Sequence, residues 1–398
     1  MTRSDRTRAR NATILLGSTL VVLAGTVLAP GLPEMAVAFQ DVPNAEFLVR
    51  LTLTIPALFI ALGAPLAGFL LDRWGRKRTL IASLILYSVA GPAGFVLDSL
   101  FAILVSRAVL GLAIAGVAGG FTTLIADYFT GSRRNQFFGY QAAALGLVGM
   151  FSLLIGGFLS EIDWRIPFLI HFVAVPVLFG VLLTVEEPKI RADSRSEVVS
   201  DEKATFPLGG VARVYAIAFV AMLLFFVMPV LAPFFLTATI GLSPGQVGIA
   251  LALPALVGVI VALQFRRLKA RLSFMSIFAI VFLALAANHF VLAFTPLLGL
   301  VLVGLLIGGL ALGLVPPAVN VWISSIAPPA HRGRAISGLT AALFLGQFFT
   351  PFITEPLLQQ VGVTGTFGII GGVALFLVVV FIVAALRGRL ARPSSSRV

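Results

Sequence analysis

The chain has 398 residues, 59% hydrophobic and only 11% charged, where soluble domains carry roughly a quarter charged residues; no soluble fold hides that much apolar surface, so lipid is the expected solvent. The net charge of +12 would suit a nucleic-acid binder, but the placement of that charge, described below, argues against one. Cysteine is absent, which excludes disulfides, thiolate metal sites and cysteine nucleophiles.

An apolar helix of about 20 residues crosses a hydrocarbon core of roughly 30 Å with its backbone satisfied internally. Twelve such spans are predicted in order, at 12–33, 47–71, 79–97, 100–122, 136–159, 166–185, 213–239, 245–265, 273–294, 296–325, 335–357 and 365–386. The runs are continuous rather than alternating, which argues against a transmembrane barrel. Before span one, Arg3, Arg6, Arg8 and Arg10 imitate a signal peptide, and Ala36-Val-Ala38 imitates a cleavage site. The run is longer than a signal core and further spans follow, so a retained first helix is expected. Span ten is long enough to tilt, kink or extend beyond the membrane.

Between spans six and seven, Glu186, Glu187, Pro188, Lys189, Arg191, Asp193, Arg195, Glu197, Asp201, Glu202 and Lys203 have linker composition. The predicted organisation is a six-helix bundle over 1–186, a cytoplasmic linker over 187–212 and a second six-helix bundle over 213–398. Of 28 Lys and Arg, 25 lie at the termini or in loops 2–3, 4–5, 6–7, 8–9 and 10–11; only Arg50, Arg107 and Arg165 lie elsewhere. This bias places both termini and the linker in the cytoplasm, with anionic lipid heads beside the basic clusters.

The halves share weak internal similarity. Loop 4–5 reads Ser132-Arg133-Arg134 with Gly139 beyond; loop 10–11 reads His331-Arg332-Gly-Arg334 with Gly338 beyond. Loop 8–9, from Gln264 to Arg271, keeps the bases of loop 2–3 but has no acid. Glycines recur at helical spacing in spans four (Gly111, Gly119), five (Gly146, Gly149, Gly156, Gly157) and ten (Gly304, Gly308, Gly313). They allow close helix approach, either as static packing or as sliding surfaces.

The stretch Gly68-Phe-Leu-Leu-Asp72-Arg73-Trp-Gly75-Arg76-Lys77-Arg78 crowds one acid and four bases into a tight loop between spans two and three. The pattern resembles the signature loop of the major facilitator superfamily. Ala29-Pro30-Gly-Leu-Pro33-Glu34, Arg107 with Gly111, Asp127, and Trp164-Arg165 with Phe168 further resemble its drug/proton antiporter branch. Leu110 stands where that branch has glutamine, and Ser152-Leu153 where it has Gly-Pro. The resemblance implies an all-α membrane protein of twelve transmembrane helices in two pseudo-symmetric six-helix bundles. It implies that Asp72 docks near the start of span eleven, around Arg334 to Gly338, and that Arg76 bridges to Asp127. Gly68, Arg73, Gly75 and Lys77 complete that latch; the alternative for the bases is a purely topogenic loop. The cavity is implied to lie between spans one, four, seven and ten.

Arg107 is the only base well inside a span, which marks it for binding an anionic group or sensing a carboxylate, unless it snorkels or bonds backbone carbonyls. Glu34 and Glu355 lie near the outer ends of spans one and eleven; each is a possible proton carrier or an exposed loop acid. His171 and His289 read as hydrogen-bonded structural residues, and no spacing of ligands points to a metal. Met222, Phe225 and Phe226 of span seven, Asn320 beside Pro316-Pro317 of span ten, and Gln347 of span eleven are the substrate candidates, against an alternative of core or lipid contact. There is no Walker loop, no H-E-x-x-H and no G-x-S-x-G, so an enzyme is not expected.

The expected activity is proton-coupled efflux of small lipophilic or weakly polar compounds by a monomer without cofactor, energised by the proton gradient. A metabolite or sugar exporter, a uniporter and a non-transporting receptor remain as alternatives.

Overall fold

The computed structural model describes residues 3–187, 206–328 and 331–390. Residues 188–205, most of the expected linker, lie outside the described residues, as do Arg392 and Arg397. Every regular element among the described residues is helical.

Spans one to ten run Asp5–Ala38, Ala45–Arg73, Arg76–Phe95, Leu100–Tyr128, Gly131–Ser160, Ile166–Thr184, Leu208–Ile240, Pro244–Arg271, Phe274–Phe294 and Leu298–Ile326. Most continue past the apolar run at the end that carries the basic loops, because polar side chains do not interrupt backbone hydrogen bonding. The eighth is started by a capping box, Ser243 with Gln246. Span one is not one helix. Its first part ends at Thr26, Ala29–Gly31 form a 3₁₀ turn around Pro30, and Leu32–Ala38 resume as a short helix. Pro30 and Pro33 lack the N–H groups that would carry the helix through.

Spans eleven and twelve differ from expectation in being joined without a loop. The helix Arg332–Leu390 has 59 residues, about 88 Å at the α-helical rise, far more than one crossing. It breaks at Gly362, where φ is 68° and ψ is −176°, a conformation only glycine adopts readily. The first arm packs on span seven through Phe349 and Phe219, and the second returns on span nine through Phe381 and Phe282. Twelve passes result, with both ends of the described chain on the face of the basic loops. We call this the basic face and its opposite the far face.

The internal repeat is visible at atomic contact. In the first half, Gly111 of span four sits where a Cβ would strike the Pro56 carbonyl of span two; in the second, Gly309 of span ten abuts the Pro254 carbonyl of span eight. Likewise Gly156 of span five abuts the Val27 carbonyl of span one, and Gly346 of span eleven the Phe219 carbonyl of span seven. Four equivalent helix crossings are thus closed by backbone against backbone, the packing that replaces hydrophobic drive in lipid.

Between the halves, spans five and eight meet along one face. A Cβ on Gly157 would lie 2.6 Å from the Pro244 carbonyl oxygen and 3.0 Å from the Gly248 Cα. Gly146 meets Val259, but Gly139, two turns further toward the basic face on the same stripe, has nothing within 4 Å. The halves therefore touch at the far face and part toward the basic face. Gly157→Leu is expected to wedge the far-face contact open, raising the reactivity of a cysteine placed at Phe47, which packs across the halves on Phe352 at the same face, by about tenfold in maleimide labelling.

Candidate functional site

Loop 2–3 is shaped by Gly75, whose φ of 96° turns the chain from span two into span three. Arg76 then reaches back. Its guanidinium donates to Asp127 at 3.2 Å and to the Leu71 carbonyl at 2.9 Å, and lies 3.4 Å from Asp72. Arg73 stacks on Phe69 of its own helix. Lys77 donates through Nζ to the Leu182 carbonyl at 3.0 Å. Asp72, Arg76 and Asp127 are thus brought together, all within the first half.

The expected docking of Asp72 on span eleven is not formed in this structure. The Asp72 side chain is 79% exposed and Gly68 has nothing within 4 Å. The start of span eleven is instead held by its own half, the Tyr215 hydroxyl donating to the Ala335 carbonyl at 2.7 Å. The physical reason is the parting of the halves at the basic face, which leaves the two partners on opposite sides of the opening.

A further residue completes the loop. The Glu187 carboxylate accepts from the backbone N–H groups of Arg76 at 2.5 Å and Lys77 at 2.9 Å. These are first-turn donors of span three with no intrahelical partner, and a carboxylate there also meets the positive end of the helix dipole. The sequence reading left Glu187 in the linker because nothing in the local pattern links a residue after span six to the start of span three. Glu187→Gln is expected to weaken the cap by on the order of 0.5 kcal/mol, about a twofold loss of hydrogen-exchange protection at the Arg76 and Lys77 amides.

The far face carries two links across the halves. Arg50 of span two, 3% exposed, donates to Glu355 of span eleven at 2.6 Å and to Glu46 at 3.2 Å, and lies over Phe234 of span seven. Phe47 packs edge-on against Phe352 one turn away. Glu161, at the end of span five, accepts from Ser243 Oγ at 2.5 Å and from the Gly245 N–H at 3.1 Å. Glu355 is therefore not an exposed loop acid. The signal was available: Glu355 is the only acid after residue 205, and Arg50 is one of three bases away from the basic face.

Arg107 is fully buried inside the first half. It donates to the Ala24 carbonyl of span one at 2.8 Å, lies 3.5 Å from His171 Nε2 and sits over the Phe168 ring. His171 Nδ1 is bonded to the Phe168 carbonyl at 2.9 Å, and Tyr87 donates to the Leu20 carbonyl at 2.9 Å beside it. Of the two expectations for Arg107, this structure shows the bond to a backbone carbonyl, which ties spans four and six to the last regular turns of span one. His171 was legible as buried but not as its neighbour, since the spacing between them carries no pattern.

The remaining candidates divide. Asn320 donates to the Pro316 carbonyl of its own helix at 2.8 Å, so that carbonyl is already occupied rather than free to line a cavity. Gln347 is 8% exposed and faces Gly25 of span one across the halves. Next to Gly25, Thr26 shares a 2.5 Å hydrogen bond with Ser152, the residue standing in the altered helix-five motif. Met222, Phe225 and Phe226 are half-buried on span seven, and Phe348 contacts Phe349 and Phe352 on span eleven. Glu34 has one carboxylate oxygen, Oε2, buried with no hydrogen-bond partner among the described residues. No group of metal-ligating side chains occurs among the described residues.

Residues 14–215 and 214–397 each match the sequence model of the Major Facilitator Superfamily. Multidrug resistance protein 1 of Bacillus subtilis (strain 168) is 32% identical over 167 residues, 40% of this chain and 41% of that protein. The quinolone resistance protein NorA of Staphylococcus aureus is 29% identical over 137 residues, 34% of this chain and 35% of that one. The chain thus spans about two fifths or less of the length of these relatives. Among solved structures, a bacterial homolog of the human lysosomal transporter Spinster, inward-facing and unoccupied, superposes with a TM-score of 0.68 at 19% identity, covering 97% of this chain and 96% of that one.

Proposed function

We propose that this chain, which belongs to the Major Facilitator Superfamily, exports small lipophilic or weakly polar compounds across a cytoplasmic membrane in exchange for protons. The observation that carries the reading is the asymmetry of the two faces. The far face is closed by Arg50–Glu355 and by Glu161 on the start of span eight. The basic-face network of Asp72, Arg76 and Asp127 stands assembled but undocked. A carrier that alternates access needs one face closed while the other is open, and bistable contacts at each. With the basic face in the cytoplasm, a placement the charge bias supports, this is a state open to the cell interior.

The substrate class rests on the apolar, adaptable side chains of Met222, Phe225, Phe226 and Phe348, half-buried on spans seven and eleven, with Gln347, Thr26 and Ser152 as the few polar groups. The two relatives whose names specify drug or quinolone resistance support it. Glu34 is the proposed proton carrier, because its unpartnered Oε2 lies at the break in span one, where a change of access would reach it.

The test uses proteoliposomes holding a pH-sensitive dye, given a panel of lipophilic cations, neutral aromatics and sugars. Lipophilic compounds are expected to drive proton movement in the wild type, and Glu34→Gln is expected to reduce it at least tenfold while compound binding persists. Movement driven by sugars alone, or compound transport without proton flux, would replace this reading with a sugar exporter or a uniporter.

A further inference from the structure

The second half has a charge problem that the first does not. From residue 206 onward there are 11 Lys and Arg and a single acid, Glu355, which is locked to Arg50 at the far face. In the first half, by contrast, basic-face cations find protein carboxylates: Arg6 with Glu186, and Arg76 with Asp72 and Asp127. Between 188 and 205, Asp193, Glu197, Asp201 and Glu202 are matched by Lys189, Arg191, Arg195 and Lys203, so that segment has no acid to spare. The anions that balance the second half come from outside the chain.

Beside these cations lies a groove of about 320 Å³ on the lipid side of spans nine and twelve. Its walls are Ile280 and Leu283 on span nine, Leu272 in the turn just before it, and Val378, Ile382 and Leu386 on span twelve, with Ser276 toward the basic face. From Val378 to Leu386 the groove runs about 12 Å along span twelve at the α-helical rise, within one leaflet of a hydrocarbon core of roughly 30 Å. It therefore suits one acyl chain of one leaflet. One base stands at its mouth and two more precede or follow its lining residues in sequence. Lys269 Nζ donates to the carbonyl of the lining residue Leu272 at 3.3 Å and lies 4.3 Å from the Phe274 ring centroid. Arg271 and Arg387, both exposed, adjoin Leu272 and Leu386. Lysine keeps donors to spare after one hydrogen bond.

We propose that this groove holds one acyl chain of an anionic phospholipid whose phosphate rests on Lys269, Arg271 and Arg387. A zwitterionic lipid fills the groove equally well but leaves the cations unbalanced, so preference between headgroups reads the site. Native mass spectrometry of the full chain in detergent, titrated with phosphatidylglycerol and with phosphatidylcholine, tests it. Phosphatidylglycerol is expected to bind about 100-fold more tightly, about fivefold for each of the three cations. Lys269→Gln/Arg271→Gln/Arg387→Gln is expected to abolish that preference, while Arg213→Gln/Arg266→Gln/Arg332→Gln, equal in charge change but away from the groove, keeps it. Ala385 also lines the groove on span twelve, and Ala385→Trp, which fills it, is expected to weaken both lipids. Equal binding of the two lipids by the wild type, or an unchanged preference in the first triple variant, overturns the proposal. So does a shift by Ala385→Trp from dimer to monomer with lipid binding intact, which would mark a second copy as the occupant.

Discussion

Glu355→Gln is expected to open the far face. The variant leaves Arg50, 3% exposed, with only Glu46 of its own helix, and removes the one charge-assisted bond that joins spans two and eleven. An interfacial charge pair of this kind is worth about 1–2 kcal/mol of bias after allowance for the partial exposure of Glu355. That is about a tenfold change in the ratio of open to closed far face. Because the chain has no cysteine, a single cysteine replacing Phe47 reports the change directly: its maleimide reactivity should rise about tenfold in the Glu355→Gln background. Transport should fall, because the state open to the basic face is depopulated. The exchange Arg50→Glu/Glu355→Arg should recover most of the closure, which a purely local packing defect would not allow.

Arg107→Met is expected to separate function from folding. Arg107 is fully buried, and among the described residues its Nε has no hydrogen-bond partner and no carboxylate forms a salt bridge with it. A guanidinium at membrane depth costs on the order of 3 kcal/mol on insertion scales, so an apolar side chain of similar volume should leave the melting temperature unchanged or raise it. Transport is nevertheless expected to fall by at least about 100-fold. The donor to the Ala24 carbonyl disappears just before span one breaks, and with it the connection from spans four and six to the segment that carries Thr26 and Glu34. Arg107→Lys should fail similarly, since one ammonium cannot hold Ala24 and face His171 in the same geometry. A variant that both melts lower and transports in proportion to its folded fraction would reduce Arg107 to a structural role.

The twelve-pass plan was legible because a hydrophobic run of crossing length has one solution in lipid, and the glycine spacing announced where helices would touch. The joint at Gly362 was not legible, since the sequence between spans eleven and twelve looks like a short loop and only the backbone shows helix resuming at once on either side. Arg76 with Asp127 followed from the resemblance. Arg50 with Glu355 required partners 305 residues apart, and no local pattern encodes that distance; only the scarcity of charge hinted at it. Glu187 on span three escaped for the same reason. Asn320 satisfies its own helix, which a polar side chain beside two prolines does as easily as meet a ligand, and no sequence pattern separates the two.

The most direct measurement pairs two reporters, a cysteine at Gly139 on the open stripe of span five and a cysteine at Phe47 in the far-face contact with Phe352, each alone in an otherwise cysteine-free chain. In the resting protein Gly139→Cys should label rapidly and Phe47→Cys slowly. On addition of a transported lipophilic compound under a proton gradient, the first rate should fall and the second rise, in opposition. Two rates that stay constant, or rise and fall together, would contradict alternating access between these faces.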